Sequence, residues 1–206
     1  MIRLTDVVKQ LLIINGILFL ISRLPLYQYF PDLALYYPGS VSFRPYQIVT
    51  HMFMHGNLSH LFFNMFMLAT FGPMLEALWG SKRFLFFYLF CGIGAILTHL
   101  VFWYIEISGL DAFQYSMYLQ QSGSVVGASG ALFGVLVAYG MYFPNQQLML
   151  LFPPIPMKAI YLVIFSIVLE LVMVAQGAQT HIAHFAHLGG AFFGFLIILY
   201  WRKFGK

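Results

Sequence analysis

The sequence predicts an all-α, polytopic membrane protein with six transmembrane helices and cytoplasmic N- and C-termini. Its 206 residues are 61% hydrophobic and only 8% charged, with a mean hydropathy of +0.84, whereas soluble domains carry roughly 25% charged residues. About 20 apolar residues cross a bilayer core as a helix. The apolar runs therefore predict one membrane domain, 1–206, with helices at 8–27, 58–79, 82–105, 127–143, 156–177 and 181–202.

Each element has its own signal in the chain. No small-residue cleavage site follows the first apolar stretch, which is therefore predicted to be a retained anchor and not a signal peptide. Residues 28–57 contain several prolines and many aromatic residues, which predicts a segment lying in the membrane interface. The fourth helix is the shortest of the six. Trp79, Trp103 and Trp201 fall near helix ends, where amphipathic rings prefer the headgroup level.

The basic residues predict the orientation. A cytoplasmic N-terminus places eight of the ten lysines and arginines inside, as the positive-inside rule requires. Those inside are Arg3, Lys9, Lys82, Arg83, Lys158, Arg202, Lys203 and Lys206, and those outside are Arg23 and Arg44. These residues form no patch, so the net charge of +4 does not indicate a nucleic-acid partner. The single cysteine, Cys91, excludes a disulfide framework.

Four polar residues are predicted to meet in the outer half of the membrane. Polar side chains in a bilayer are costly and mark functional sites. The second, fourth and sixth helices all run from outside to inside, and their first turns carry His60, Asn64, Ser129 and His187. A neutral histidine can take the proton of a serine hydroxyl and make it a nucleophile. Ser129 and His187 are therefore the candidate nucleophile and base.

Small residues surround this pair. The serine lies in GASG between Gly127 and Gly130, which permit close backbone approach. Gly190 and Gly194 form a small-xxx-small ridge on the last helix, and we expect it to meet Gly130 and Gly134. Such a contact would hold the histidine against the serine.

The other catalytic parts are also present. His60 and Asn64 lie four residues apart on one helix face and, with the backbone amide of Ser129, can donate hydrogen bonds to an oxyanion. Glu170 is the one carboxylate at a plausible depth to orient His187, but a structural role is favoured for it. The sequence thus predicts a serine–histidine dyad that needs no metal or cofactor.

Other interpretations remain open. Ser129 alone is typical of helix packing, and a noncatalytic protein that binds transmembrane helices would use the same polar groups. A small-solute transporter is a weaker option. His51 and His55 have the spacing of a zinc site, but the residue after His51 is not the glutamate of a metalloprotease, so scaffolding is favoured. His181 and His184 are assigned structural or interfacial roles.

These motifs resemble the rhomboid family of intramembrane serine proteases from about residue 45 to residue 194. In order, the matching residues are His51, His55, His60 and Asn64, then Glu76, Gly80, Ser81 and Arg83, then GASG around Ser129, then AHLGGAFFG from Ala186. The resemblance implies a six-helix core, a Ser129–His187 dyad, His60 and Asn64 at the oxyanion site, and transmembrane protein substrates. It assigns Glu76 and Arg83 to helix packing. Inactive relatives lack the serine or the histidine.

The chain departs from the family pattern at two places. Tyr46 and Gln47 stand where the family often has Trp-Arg, and Phe133 stands where some members have a tyrosine that stacks on the catalytic histidine. The resemblance implies a route for substrate beside the fifth helix and the QGAQT segment. A multi-pass protein of the bacterial inner membrane is expected, from the compact chain.

Overall fold

The computed structural model describes residues 4–29, 32–121, 123–149, 154–176 and 181–205. Within them the chain forms eight α-helices and one two-stranded antiparallel sheet. The helices are α1 Asp6–Ile21, α2 Gln47–Thr50, α3 Leu58–Trp79, α4 Ser81–Ile107, α5 Ala112–Gln121, α6 Ser129–Tyr142, α7 Ala159–Ala175 and α8 His181–Phe204, and the strands are β1 Gln147–Met149 and β2 Pro156–Lys158. Arg3, Lys206 and residues 177–180 lie outside the described residues, as does the side chain of His181.

The centre of the fold is a contact between the backbones of α6 and α8. A Cβ atom added to Gly190 would overlap the carbonyl oxygen of Gly130, and one added to Gly194 would lie 2.7 Å from the Cα of Gly134. Nearly every residue of α6 from Gly130 to Gly140 is buried. Helix α4 packs on both, with the buried Cys91 against Gly134. The glycines therefore fix the distance between the two helices that carry Ser129 and His187.

Glu76 joins the first helix to the third. Its carboxylate accepts hydrogen bonds from the amides of Val7 and Val8, both at 2.9 Å, and from the hydroxyls of Thr5 and Ser81. The first amides of a helix have no partner within it. The carboxylate thus caps α1 from the far end of α3.

Arg83 and Asn57 also fix helix positions. The Arg83 guanidinium lies 4.0 Å from the ring centre of Trp201 on α8. The Asn57 side chain accepts a hydrogen bond of 2.8 Å from the amide of His60 and so caps α3. The first contact joins the start of α4 to the end of α8, and the second fixes where α3 begins.

Three differences from the predicted helix boundaries have a local structural cause. Helix α1 ends at Ile21, and the predicted continuation to residue 27 is a turn followed by the 3₁₀ helix Pro25–Tyr29. Helix α6 begins at Ser129 and not at residue 127, because Gly127 has φ +126°, which is not a helical conformation. Residues 156–158 pair with 147–149 as a strand, so α7 begins at Ala159. The all-α prediction omitted this short sheet and α5.

Three described helices are long and apolar enough to cross a membrane: α3, α4, and residues 184–204 of α8. Helices α6 and α7 are apolar but shorter. On α7 eight of the 17 residues are exposed, all of them hydrophobic and including Ile164, Phe165 and Val168, while only Ala159, Val163 and Glu170 are buried. Apolar side chains exposed over a whole helix suit contact with lipid.

Candidate active site

Ser129 and His187 are in direct contact. The Oγ of Ser129, the first residue of α6, lies 2.7 Å from the Nε2 of His187 on α8. The glycine contacts described above bring these helices together, and Gly130 lies beside the backbone of Ala186. This is the distance over which a histidine can accept a serine proton.

Phe133 holds the plane of the histidine ring. Its ring centre is 4.5 Å from that of His187, and the two planes differ by 6°. Phe133 is one turn after Ser129 on α6, so the same helix presents the hydroxyl and the stacking surface. A phenylalanine provides this contact without a tyrosine hydroxyl.

A carboxylate lies on the other side of the histidine. The Oε1 of Glu170 is 2.9 Å from the Nδ1 of His187, and its Oε2 is 2.5 Å from the Nδ1 of His184. The Glu170 side chain is 11% exposed. The structure therefore brings together Ser129, His187, Glu170 and His184, of which the sequence analysis assigned only the first two to catalysis.

His60 and Asn64 lie near the glycine that precedes the serine. A Cβ added to Gly127 would be 2.7 Å from the Nε2 of His60 and 3.6 Å from the Nδ2 of Asn64. That Nδ2 is buried and has no hydrogen-bond partner among the described residues. A buried donor without an acceptor costs about 1–3 kcal/mol. The Asn64 amide is thus available to an acceptor that enters the site.

Ser129, His187 and His60 border a cavity of about 340 Å³. Its wall is mainly apolar, with Ser129, His60 and His187 among the polar residues. The other lining residues are His51, Gly92, Ala95, Ile96, Ser124, Val125, Val126, Gly127, Gly130, Ala131 and Ala186. The loop 124–127 forms one wall. An isolated antiparallel β-bridge between Leu35 and Val125 joins this loop to the long segment between α1 and α2.

His51 and Gln47 hold the loops around the site. The carbonyl of His51 accepts a hydrogen bond of 2.9 Å from the amide of Gly127, two residues before Ser129. Burial lowers the pKa of His51 to about 4, so its ring is neutral at pH 7. Gln47 donates to the carbonyls of Asp32 and Ser42, both at 3.1 Å. Gln47, which stands where the family often has an arginine, thus holds the first loop in place through hydrogen bonds from a neutral side chain.

Among the described residues, one group brings three possible metal-ligand residues close together, a carboxylate and two imidazoles. Glu170, His184 and His187 have ligand atoms within 4.8 Å of one another. Neither His51 nor His55 belongs to such a group within the same residues. A third ligand that would complete a zinc site at those two histidines is therefore missing from the described part of the chain.

One feature of the sequence could have indicated that Glu170 and His184 belong to the site. His184 and His187 are three residues apart, which places both on one face of α8. Two histidines on one helix face need a partner when they are partly buried, and Glu170 is the nearest carboxylate in depth. Spacing alone does not say which face of α7 Glu170 occupies, so the sequence did not place it on His187.

The apolar helices and the partly buried contact between Ser129 and His187 define a helical integral membrane protein with a serine–histidine site. A sequence profile of the rhomboid domain matches residues 42–204. The chain therefore belongs to the rhomboid family, as its motifs indicate.

The named relatives include a protease. The chain is 33% identical over 153 residues to the rhomboid protease AarA of Providencia stuartii, covering 71% of this chain and 52% of that protein. It is 31% identical over 159 residues to the mitochondrial Rhomboid protein 1 of Saccharomyces cerevisiae, covering 76% and 42% respectively. It is 29% identical over 205 residues to the mitochondrial presenilin-associated rhomboid-like protein A of Danio rerio, covering 95% and 49%. The chain spans about half the length of these relatives.

Proposed function

We propose that this chain is an intramembrane serine endopeptidase that hydrolyses a peptide bond in or near the outer end of a substrate's transmembrane helix. The observation that carries the proposal is the contact of 2.7 Å between the Oγ of Ser129 and the Nε2 of His187. The unpaired donor of Asn64, near Gly127 and so two residues from Ser129 along the chain, supports it. The relatedness to a protein named a protease is consistent with it.

The reaction proceeds through an acyl-enzyme. The Oγ of Ser129 attacks the scissile carbonyl carbon while its proton passes to the Nε2 of His187. The oxyanion accepts hydrogen bonds from the side chains of Asn64 and His60 and from the backbone amide of Ser129. His187 then gives its proton to the leaving amine as the C–N bond breaks. Water attacks the acyl group, again with His187 as base, which releases the carboxyl product and restores the serine.

We propose that α1, α3, α4, α6, α7 and α8 are the six spans, with both termini in the cytoplasm. The basic side chains of Lys82, Arg83, Lys158 and Arg202 then share the inner side, as the positive-inside rule requires. The partners are transmembrane protein substrates and the lipid bilayer. The relatives include bacterial and mitochondrial proteins, so the bacterial inner membrane stays a prediction.

Labelling with a serine-directed activity probe tests this function. The purified protein in detergent or liposomes is treated with a fluorophosphonate between pH 5 and 9, beside Ser129→Ala and His187→Ala. Ser116→Ala is the matched control, because its hydroxyl is exposed and donates to a backbone carbonyl of its own helix. The parent and the control should label, with a rate that rises as an imidazole loses its proton, and the two site variants should not.

The opposite result would favour the other reading of the site. If folded parent protein in lipid stays unlabelled and cuts no transmembrane substrate, while an active relative does both in parallel, the chain is a noncatalytic protein that binds helices. Capture of a transmembrane substrate by Ser129→Ala fits either function, so the covalent label is the deciding measurement.

A further inference from the structure

The proposed reaction leaves one buried acidic side chain without a role. Glu170 lies in the apolar helix α7 with 11% of its side chain exposed, and the side chains of His184 and His187 are 12% and 17% exposed. A buried carboxylate is strongly disfavoured unless it is paired and hydrogen-bonded. Glu170 meets this requirement through contacts with both histidines and, among the described residues, with no other side chain.

The two contacts fix which nitrogen of each ring carries the proton. An ionised carboxylate can only accept hydrogen bonds. The Nδ1 of His187 at 2.9 Å and the Nδ1 of His184 at 2.5 Å must therefore both carry hydrogen and donate it. In a neutral ring this leaves the Nε2 of His187 with its lone pair, and that atom faces the Ser129 hydroxyl. A general base needs this tautomer.

His184 orients the carboxylate in turn. It is one helical turn before His187 on α8 and binds the second oxygen of Glu170, so the carboxylate bridges two rings of the same helix. A carboxylate held at both oxygens cannot rotate away from His187. The Phe133 ring restrains the plane of His187 from a separate direction.

A purely structural role for Glu170 would predict something different. Only Ala159, Val163 and Glu170 are buried on α7, so the carboxylate also attaches the outer half of this helix to α8. If attachment were its whole role, removing the charge would lower stability or substrate affinity. It would leave the proton chemistry of His187 unchanged. The pH dependence of catalysis therefore separates the two roles.

We propose that Glu170 is a positioning residue of the reaction: its carboxylate holds His187 in the Nδ1–H tautomer and stabilises the imidazolium that forms when Ser129 attacks, and His184 fixes the carboxylate. The proposal rests on the protease function above. It replaces the predicted dyad with a Ser129–His187–Glu170 triad backed by His184. The proton still moves only between Ser129, His187 and the substrate groups, and Glu170 stays ionised throughout.

The test compares Glu170→Gln with the parent by cleavage of a transmembrane substrate, with EDTA present, over the full pH range. A glutamine keeps the shape but loses the charge, and its amide nitrogen can force the wrong tautomer on His187. We expect kcat to fall by on the order of 10²–10⁴ with little change in KM, as loss of a triad carboxylate does in serine proteases. The acid limb of kcat/KM should move to lower pH, because the imidazolium loses its negative partner.

Two further variants make the result specific. Glu106→Gln is the matched control, since this carboxylate is exposed and accepts a hydrogen bond from Tyr118 rather than from a histidine. It should keep the parental kcat and pH profile. His184→Leu should lower kcat on the order of tenfold, and His184→Asn, which keeps a donor for the carboxylate, should recover most of that loss.

A measurement on the parent protein covers the case in which Glu170→Gln does not fold. Histidine labelled with ¹⁵N reports which ring nitrogen is protonated, and the His187 signal is identified by its loss in His187→Gln. A protonated Nδ1 with a low-field proton is expected, whereas a His187 ring protonated only at Nε2 overturns the proposal. So does a folded Glu170→Gln with parental kcat and acid limb. A parent that does not label at Ser129 instead refutes the protease function itself.

Discussion

Replacing Gly190 by alanine tests whether backbone contact between α6 and α8 holds the site together. The added Cβ would overlap the carbonyl oxygen of Gly130 and approach its carbonyl carbon at 2.6 Å. Both neighbours are backbone atoms, so no side chain can turn away. Overpacking costs about 1–3 kcal/mol, and we expect the upper end of that range here.

The same overlap should displace the reacting atoms. Relieving it requires the helices to separate by on the order of 1 Å, and such a displacement of catalytic groups costs about 10²-fold in rate. The assay is the rate of fluorophosphonate labelling, together with thermal unfolding in the same detergent. We expect a melting temperature lower by about 6–12 °C for a loss of this size in a chain of this length.

Gly16→Ala is the control for the Gly190 variant. Gly16 lies within α1, and no atom is found within 4 Å of a Cβ built there. Alanine should be neutral or stabilising there by about 0.5–1 kcal/mol. A Gly190→Ala protein with the melting temperature and labelling rate of the parent would refute the argument that main-chain contact sets the Ser129–His187 distance.

Three other predictions concern single side chains. Asn64→Ala should lower kcat by about 10²–10³, the usual loss for one oxyanion donor. The measurement is substrate cleavage by variant protein that is folded to the same extent as the parent. Glu76→Gln should lower the free energy of unfolding by about 1–3 kcal/mol, because the α1 amides lose a charged acceptor. Denaturation measures this loss, and the protein that remains folded should react with the activity probe as the parent does. Phe133→Ala should slow labelling by up to about tenfold through loss of ring stacking on His187, whereas Phe133→Tyr should not.

Controls for these predictions come from the same chain. Asn15→Ala removes another buried amide, on α1 and away from the cavity, and should leave kcat unchanged. An equal loss of kcat in Asn15→Ala and Asn64→Ala would refute the oxyanion role. Unchanged unfolding of Glu76→Gln would refute capping of α1, and slow labelling by Phe133→Tyr would show that more than stacking is needed.

The sequence predicted the helices and the serine–histidine pair because both depend on local signals. Apolar runs identify α3 and α4 nearly to the residue, since a bilayer requires long uninterrupted helices. Ser129 and His187 lie in the first two turns of α6 and α8, which run in the same direction, so counting residues from the helix starts places them at a similar depth. Glycines four residues apart then indicate which faces meet.

The sequence analysis missed features that depend on how a helix is rotated about its axis or that lie in short segments. Glu170 could be placed in depth, but the exposed side chains of α7 are apolar on several faces and give no rotational signal. The strand at 156–158 and helix α5 are short, and their pairing or amphipathic character is weak beside the long apolar runs. Just after the end of α1, the Arg23 guanidinium donates to the carbonyls of His55 and Gly56, which are more than 30 residues away in the chain and give no local sequence signal.

Helix α7 has few buried side chains, and the one in its C-terminal half is the carboxylate that binds both histidines. Attachment of the helix and correct protonation of the base therefore share a single pair of hydrogen bonds. A lipid, inhibitor or neighbouring protein that pulled the C-terminal half of α7 away would also release His187 from its tautomer. In the proposed reaction, the catalytic rate would therefore depend on how firmly α7 packs on α8.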